Sequence, residues 1–245
     1  MGRITEAVKH LIIINIILFI APQLVDFDLQ GMFALHFPEN ERFGFWQFLT
    51  HMFMHSQQTW MHILFNMYGL WAFGTPLEQM WGRNKFVFFY FSAGLGAGII
   101  YTLVNYYQFN AVYEQLLGLG LSHSDIQGIL TSGQYRTDLL DFISERELSA
   151  FFTTYHSPAV GASGAVYGIL VGFGMAFPNA KLALIFFPVP IAAKYFIPFL
   201  IVGDLFFGFT DYSIGNVAHF AHIGGALIGF LIAWYWKQHQ FNRWN

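Results

Sequence analysis

The chain has 245 residues, of which 56% are hydrophobic and 10% charged, and its mean hydropathy is +0.47. This composition excludes an ordinary soluble globular domain and is typical of packed membrane helices. A net charge of −3 without a basic run argues against nucleic acid as a partner, and the absence of cysteine excludes disulfides, thiolate catalysis and cysteine-ligated metals.

Apolar runs long enough to cross a hydrocarbon core occur six times along the chain. Four are clear, at residues 11–25, 58–74, 86–105 and 218–236, and two that are shorter or more polar lie at residues 161–177 and 192–209. The first run is not followed by a small-residue cleavage site, so we expect a retained span and not a signal peptide. We therefore predict an all-α membrane protein in which residues 1–245 form one domain of six transmembrane helices in a lipid bilayer.

Lysine and arginine predict the orientation of these spans, because positive charges mark cytoplasmic segments. With the N-terminus inside, eight of the 11 basic residues fall inside, and only Arg42, Arg136 and Arg146 fall outside. This asymmetry predicts an N-in, C-in topology. We expect a multi-pass protein of the bacterial inner (plasma) membrane.

Residues 106–157 form a long insertion between the third and fourth predicted spans, on the extracytoplasmic side. Two segments in it fit the capping box that starts a helix, Ser124-Asp125-Ile126-Gln127 and Ser144-Glu145-Arg146-Glu147. Apolar residues recur between them at helical spacing. We predict short helices here, and a structural cover over the bundle is favoured over a recognition element.

A serine opens the fourth span, in Gly161-Ala162-Ser163-Gly164. This span runs from outside to inside, so Ser163 is expected just below the outer surface. Gly164, Gly168 and Gly172 follow at helical spacing and form a small-residue stripe. Taken alone, the motif is explained by helix packing as well as by a nucleophile.

A histidine opens the sixth span, in Ala221-His222-Ile223-Gly224-Gly225, at about the depth of Ser163. Gly225 and Gly229 share its helical face, and packing of this face on the glycine stripe of the fourth span would bring imidazole and hydroxyl together. An ionisable residue within a span is a functional candidate, although an interhelical hydrogen bond would also explain it. His219, one turn earlier, is a rival for the role of base.

Two further polar residues, His62 and Asn66, lie four apart in the outer half of the second span, on one helical face. Side-chain donors of this kind can stabilise the oxyanion that develops when serine attacks an amide. The structural alternative is that the two groups satisfy one another between helices.

The predicted depths place these groups, from three separate spans, in one leaflet. The sequence shows no acid near this level, so we expect a Ser163–His222 dyad without a third member. Tyr167, one turn below Ser163, could hold the imidazole by packing. This chemistry needs no cofactor, and its substrates would be transmembrane or membrane-proximal segments of other proteins.

Three motifs together resemble the rhomboid family of intramembrane serine proteases over most of the chain. They are His62-Ile63-Leu64-Phe65-Asn66, Gly161-Ala162-Ser163-Gly164-Ala165-Val166-Tyr167, and Ala221-His222-Ile223-Gly224-Gly225 continuing to Gly229. The resemblance implies a six-helix rhomboid-like bundle with Ser163 as nucleophile, His222 as base, and His62, Asn66 and the Ser163 amide as oxyanion donors. It also implies that Tyr167 stacks on His222.

The resemblance further implies that the fifth span and the loop after it form a movable gate, and that Glu78 is a structural anchor. Two features depart from the family pattern. Trp46-Gln47 stands where members commonly carry Trp-Arg, so the usual polar pairing there is not expected. The insertion at residues 106–157 is bulkier than the family core requires, so access to Ser163 from outside is expected to differ.

Other functions fit the sequence less well. His51 and His55 are spaced to chelate a metal, but no glutamate lies between them and no third ligand is evident, so we expect no metal site. An aspartyl protease needs two intramembrane aspartates, and Asp204 stands alone; we expect it to be protonated or hydrogen-bonded inside the bundle. A transporter would show duplicated halves, and a catalytically dead binding protein would not need both Ser163 and His222.

Overall fold

The computed structural model describes residues 3–24, 26–184, 187–210 and 218–241, and it is mostly helical. A π-helical turn, Leu70–Gly74, joins the helix that ends at Gly69 to the helix that begins at Thr75. Lys181–Leu184 (β1) and Phe187–Ala192 (β2) form an antiparallel pair with Lys181 opposite Ala192. The helices in chain order are α1 (Glu6–Ile20), α2 (Leu29–Phe33), α3 (Gln47–Thr50), α4 (Trp60–Gly69), α5 (Thr75–Trp81), α6 (Arg83–Gly118), α7 (His123–Ser132), α8 (Glu145–His156), α9 (Ser163–Ala176), α10 (Ala193–Phe209) and α11 (His219–Phe241).

A helix lies at each of the six predicted spans, namely α1, α4, α6, α9, α10 and α11. Among the described residues, two helical stretches are long and apolar enough to cross a bilayer by themselves, Glu6–Gln23 and Arg83–Gly118, and Ser163–Ala176 is a shorter apolar helix. The number of spans and their orientation therefore stay predictions. The β1–β2 hairpin between α9 and α10 was not anticipated from the sequence.

The predicted insertion begins inside a continuous helix. With 36 residues, α6 is about 54 Å long at 1.5 Å per residue, well beyond the roughly 30 Å of a hydrocarbon core. Its last turns pack with α7 and α8 around a separate apolar core that also includes Phe37 from the loop after α2. The largest side chains of this core are Phe109, Leu116, Ile126, Ile143, Leu148 and Phe151.

The capping boxes of the two insertion helices differ in how well they were predicted. The box at α8 is confirmed, since Ser144 and Glu147 bond reciprocally to each other's backbone amides. The predicted box at α7 is wrong by two residues, because Ser122 is the N-cap and Asp125 closes the box. An aspartate at the third helical position makes the same reciprocal bonds here as the glutamate or glutamine of the usual pattern.

The centre of the bundle is formed by α6, α9 and α11, which approach through glycines. A Cβ atom on Gly225 would lie 1.8 Å from the Gly164 carbonyl oxygen, and one on Gly229 would lie 2.6 Å from the Gly168 Cα. The predicted packing of the two glycine faces is thus confirmed. Gly172 faces the rings of Trp81 and Phe89 and does not face α11.

Glu78, on α5, provides the N-terminal cap of α1 from a distant part of the chain. Its two carboxylate oxygens accept hydrogen bonds from the backbone amides of Ala7 and Val8, at 2.9 and 3.0 Å. The first amides of a helix have no partner within the helix, and a carboxylate also interacts favourably with the helix dipole. Glu78 therefore anchors α5 to the N-terminal end of α1, which is the structural role that the resemblance implied.

Gln47 replaces the arginine expected by resemblance, and it is fully buried. Its amide nitrogen donates to the carbonyl oxygens of Arg42 and Met32, at 2.8 and 3.2 Å, and its amide oxygen accepts from the His36 amide at 3.1 Å. A neutral side chain thus satisfies three backbone groups of the loop between α1 and α4. Burial without charge avoids the cost of desolvating a guanidinium.

We predict that Glu78→Gln lowers the stability of the protein. The glutamine keeps one acceptor oxygen but turns an N–H towards a backbone N–H, so the expected loss in unfolding free energy is about 1–3 kcal/mol. Thermal unfolding of the purified protein in detergent, followed by tryptophan fluorescence, measures it. Glu114→Gln on the exposed surface of α6 is the matched control, and equal melting temperatures for both variants would contradict the prediction.

We also predict that Gly225→Ala separates α9 from α11. A methyl group has no room against the Gly164 carbonyl, and backbone atoms on both sides must move, at a cost of about 1–3 kcal/mol or more. The melting temperature should fall, whereas Gly128→Ala on α7, where a Cβ meets nothing within 4 Å, should leave it equal or higher. A Gly225→Ala variant as stable as wild type would show that the glycine contact is dispensable.

Candidate active site

Ser163 is the first residue of α9, and the loop before it is tied down by backbone hydrogen bonds. Leu35 and Ala159 exchange amide-to-carbonyl bonds of 2.9 and 2.8 Å, and the Gly161 amide donates to the His51 carbonyl at 2.9 Å. Gly161 has φ +123°, and a Cβ there would lie 2.8 Å from His62 Nε2. The positive φ angle and the lack of room for a Cβ atom both require glycine at position 161.

The structure brings the predicted nucleophile and base together. His222 Nε2 lies 3.0 Å from Ser163 Oγ. The ring of Tyr167 stacks on the imidazole with centroids 4.2 Å apart and planes 9° apart, so the expected stacking is confirmed. Ser163 and His222 are both half-buried, which leaves the pair partly open.

An acid does lie at this level, and the expectation that none would is wrong. Asp204 Oδ1, from α10, lies 3.1 Å from His222 Nδ1 and 2.6 Å from His219 Nδ1. The hydrogen-bonded state expected for Asp204 is therefore confirmed, but its partners were missed. His219, considered as a rival base, directs Nδ1 to Asp204.

The two predicted oxyanion donors are placed differently. His62 and Ser163 both lie next to Gly161. A Cβ atom added to Gly161 would be 2.8 Å from His62 Nε2 and 3.7 Å from Ser163 Oγ, so His62 lies beside the site. Asn66 is buried, and its amide donates to the His62 carbonyl at 3.0 Å, within its own helix. The described contacts thus place His62 near Ser163, whereas the observed hydrogen bond of Asn66 stays within α4.

The sequence matches the Rhomboid domain family over residues 42–131 and 139–239, which is more than half of the chain. The chain belongs to the rhomboid family. It is 27% identical over 180 residues to Rhomboid protein 1, mitochondrial, of Saccharomyces cerevisiae, an alignment that covers 74% of this chain and 39% of that protein.

Two bacterial relatives carry the name of a protease. Rhomboid protease GluP of Bacillus subtilis is 25% identical over 189 residues, covering 77% of this chain and 25% of that protein. Rhomboid protease GlpG of Haemophilus influenzae is 25% identical over 179 residues, covering 70% of this chain and 90% of that protein. This rhomboid chain thus spans well under half the length of the yeast and Bacillus relatives and most of the length of the Haemophilus one.

One group of side chains in the described part of the chain could hold a metal ion. The ligand atoms of Asp204, His219 and His222 lie within 4.8 Å of one another. His51 and His55, the pair considered from the sequence, are not in that group, and His51 Nδ1 donates to the Gln47 carbonyl at 2.8 Å.

A small cavity of about 20 Å³ borders Ser163, between α6, α9 and the start of α11, and His51 and Gly161 also line it. This volume has room for about one water molecule. Water next to the serine is needed for any hydrolysis of an acyl intermediate.

Two buried histidines of the loop before α4 are held neutral. Burial lowers the pKa of His51 to about 4. Burial, with a smaller contribution from the nearby His62, also lowers the pKa of His55 to about 4. Neither ring nitrogen of His55 meets the hydrogen-bond criteria with a partner among the described residues, so protonation there would place a poorly solvated charge in a buried site.

We predict that the protein loses stability as the pH falls from about 6.5 towards 4. In that interval the unfolded chain protonates these histidines and the folded chain does not, so the unfolded state binds more protons and is favoured. A shift from 6.5 to about 4 corresponds to at most about 3 kcal/mol per histidine. Unfolding of wild type at several pH values measures the slope.

His55→Phe tests this origin, because it keeps a ring of similar size and removes one titrating group. The pH dependence of its melting temperature should be less steep than that of wild type but not abolished, because burial also lowers the pKa of His51 and His36. His10→Phe on the exposed face of α1 is the control and should keep the wild-type slope. An unchanged slope in His55→Phe would contradict the assignment.

Proposed function

We propose that this rhomboid is an intramembrane serine endopeptidase that cleaves transmembrane or membrane-proximal segments of membrane proteins. The observation that carries the proposal is the 3.0 Å separation of Ser163 Oγ and His222 Nε2, with Tyr167 stacked on the imidazole. The names of the Bacillus and Haemophilus relatives, both rhomboid proteases, agree with it.

In the proposed mechanism, His222 Nε2 takes the proton of the Ser163 hydroxyl while Oγ attacks a peptide carbonyl. The Ser163 amide at the start of α9, together with His62 and Asn66, would stabilise the oxyanion. The Nε2 proton then passes to the leaving amine, and a water activated by His222 hydrolyses the acyl-enzyme. No cofactor takes part.

The proposed setting is a six-span, N-in, C-in bundle in which Ser163 and His222 lie below the extracytoplasmic surface. The helices found at the six apolar runs support the number of spans, and the distribution of lysine and arginine along the sequence supports the orientation. The relatives point against the predicted bacterial plasma membrane, because several of those found, Rhomboid protein 1 of yeast among them, carry mitochondrial names, whereas GluP and GlpG are bacterial.

The proposed substrates must expose a peptide bond to the serine. A transmembrane helix hides its carbonyls in internal hydrogen bonds, so the segment has to unwind locally before attack. Substrates with glycine, proline or other helix-weakening residues near the cut are therefore expected to be cleaved fastest.

We predict that Ser163→Ala and His222→Ala each lower the cleavage rate by at least about a thousandfold, as for other serine nucleophile and base deletions. The measurement is cleavage of a model transmembrane substrate by the purified protein in liposomes. Ser149→Ala, on the exposed face of α8, is the matched control and should cleave like wild type.

Equal cleavage by wild type and both variants would overturn the assignment of Ser163 and His222. Uptake of solute into the same liposomes without any cleavage would instead indicate transport and would end the protease proposal.

A further inference from the structure

Asp204 is an unusual residue for its helix. Three of the 17 residues of α10 are buried, and they are Ala193, Ile197 and Asp204. Of its other large apolar side chains, some, such as Phe199 and Phe206, are exposed, and others, such as Leu200, are partly buried against the core. A carboxylate on such a helix is costly to bury unless donors surround it.

The donors around Asp204 come from the helices that carry the nucleophile and the base. Its Oδ1 lies within hydrogen-bond distance of His219 Nδ1 and His222 Nδ1, both on α11. The phenol of Tyr167, on α9, also interacts with this carboxylate. The carboxylate of Asp204 is thus hydrogen-bonded to the imidazole that faces Ser163.

We propose that Asp204 is the positioning residue of the base, so that the site works as a Ser163–His222–Asp204 triad whose acid is supplied by α10. This inference deepens the proposed protease function and rests on it. An ionised carboxylate can only accept hydrogen bonds, so Nδ1 of His222 must carry the ring proton and donate it to Asp204. Nε2 is then unprotonated and faces the Ser163 hydroxyl as a base.

The proton and charge balance of each step follows from this tautomer. When Oγ forms its bond to the carbonyl carbon, its proton moves to Nε2 and the ring becomes an imidazolium beside the ionised Asp204. When the C–N bond breaks, the Nε2 proton leaves with the amine and the ring is neutral again. Asp204 stays ionised throughout, and it orients the ring and stabilises its cationic form.

His219 offers a competing explanation for the acid. Its bond to Asp204 is the shorter of the two, 2.6 Å against 3.1 Å, so Asp204 could serve only to fasten α10 to α11. Under that alternative, removal of His219 and removal of the carboxylate would have the same effect on catalysis. Under the triad, the carboxylate matters more, because it also sets the tautomer of His222.

The kinetic experiment compares Asp204→Asn with His219→Gln in liposomes, with Val202→Ala on the exposed side of α10 as the control. We expect Asp204→Asn to lower kcat about 10- to 100-fold and to change KM by no more than about threefold. This loss in kcat corresponds to the free energy of one charge-assisted hydrogen bond. Labelling of Ser163 by a fluorophosphonate should slow by a similar factor. His219→Gln should lose less, and Val202→Ala nothing.

Three kinetic results would overturn the inference. A kcat of Asp204→Asn within about threefold of wild type would show that the carboxylate is not needed. An equal loss in His219→Gln would assign Asp204 to fastening alone. Loss of wild-type activity in EDTA that Zn²⁺ restores would make the cluster a metal site.

A spectroscopic measurement on wild type needs neither a folded variant of Asp204 nor a substrate. In protein with ¹⁵N-labelled histidine, His222 should be protonated at Nδ1, with a low-field proton resonance, and unprotonated at Nε2. His222→Gln identifies the signal by its loss. The Nε2-protonated tautomer in wild type would overturn the triad, whereas a correct tautomer without any cleavage would count against the proposed function alone.

Discussion

A close backbone contact between α9 and α11 determines where Ser163 and His222 can meet. Gly225 faces the carbonyl of Gly164, and Gly229 faces the backbone of Gly168, with no room for a side chain in either place. Ser163 and His222 lie just before these glycines on their two helices. A larger interaxial separation would exceed hydrogen-bond reach for two short side chains, so the glycine contact is the condition for the 3.0 Å approach of hydroxyl and imidazole.

A second constraint is that buried polar groups must find partners, and three buried side chains meet it in different ways. Glu78 satisfies the first amides of α1, Gln47 satisfies three backbone groups of the loop before α4, and Asp204 accepts from two imidazoles. The first two hold backbone together. Asp204 bonds to side chains, one of which faces Ser163, so its partners indicate chemistry as well as stability.

The sequence predicted the parts of the site that depend on helical periodicity. Ser163 and His222 each precede glycines at fixed spacing, so their faces and their meeting could be derived. Asp204 could not be placed, because α10 is apolar on nearly every side and its pattern does not indicate which side faces α11. The contacts of Gln47 and the cap at Ser122 were missed for another reason: they depend on loop geometry and on a choice between neighbouring serines, which no periodicity determines.

The position of Asp204 also links the integrity of the site to the packing of α10. Ala193 and Ile197 join the apolar core of the bundle, and the carboxylate of Asp204 adds hydrogen bonds to two imidazoles of α11. Moving α10 away would leave Asp204 unpaired in an apolar environment and would remove the acceptor at Nδ1 of His222. In the proposed triad, the His222 imidazole is therefore fully oriented only while α10 packs against α11. Any movement of α10 that admitted a substrate would then have to be reversed, or be small at Asp204, before Ser163 could attack.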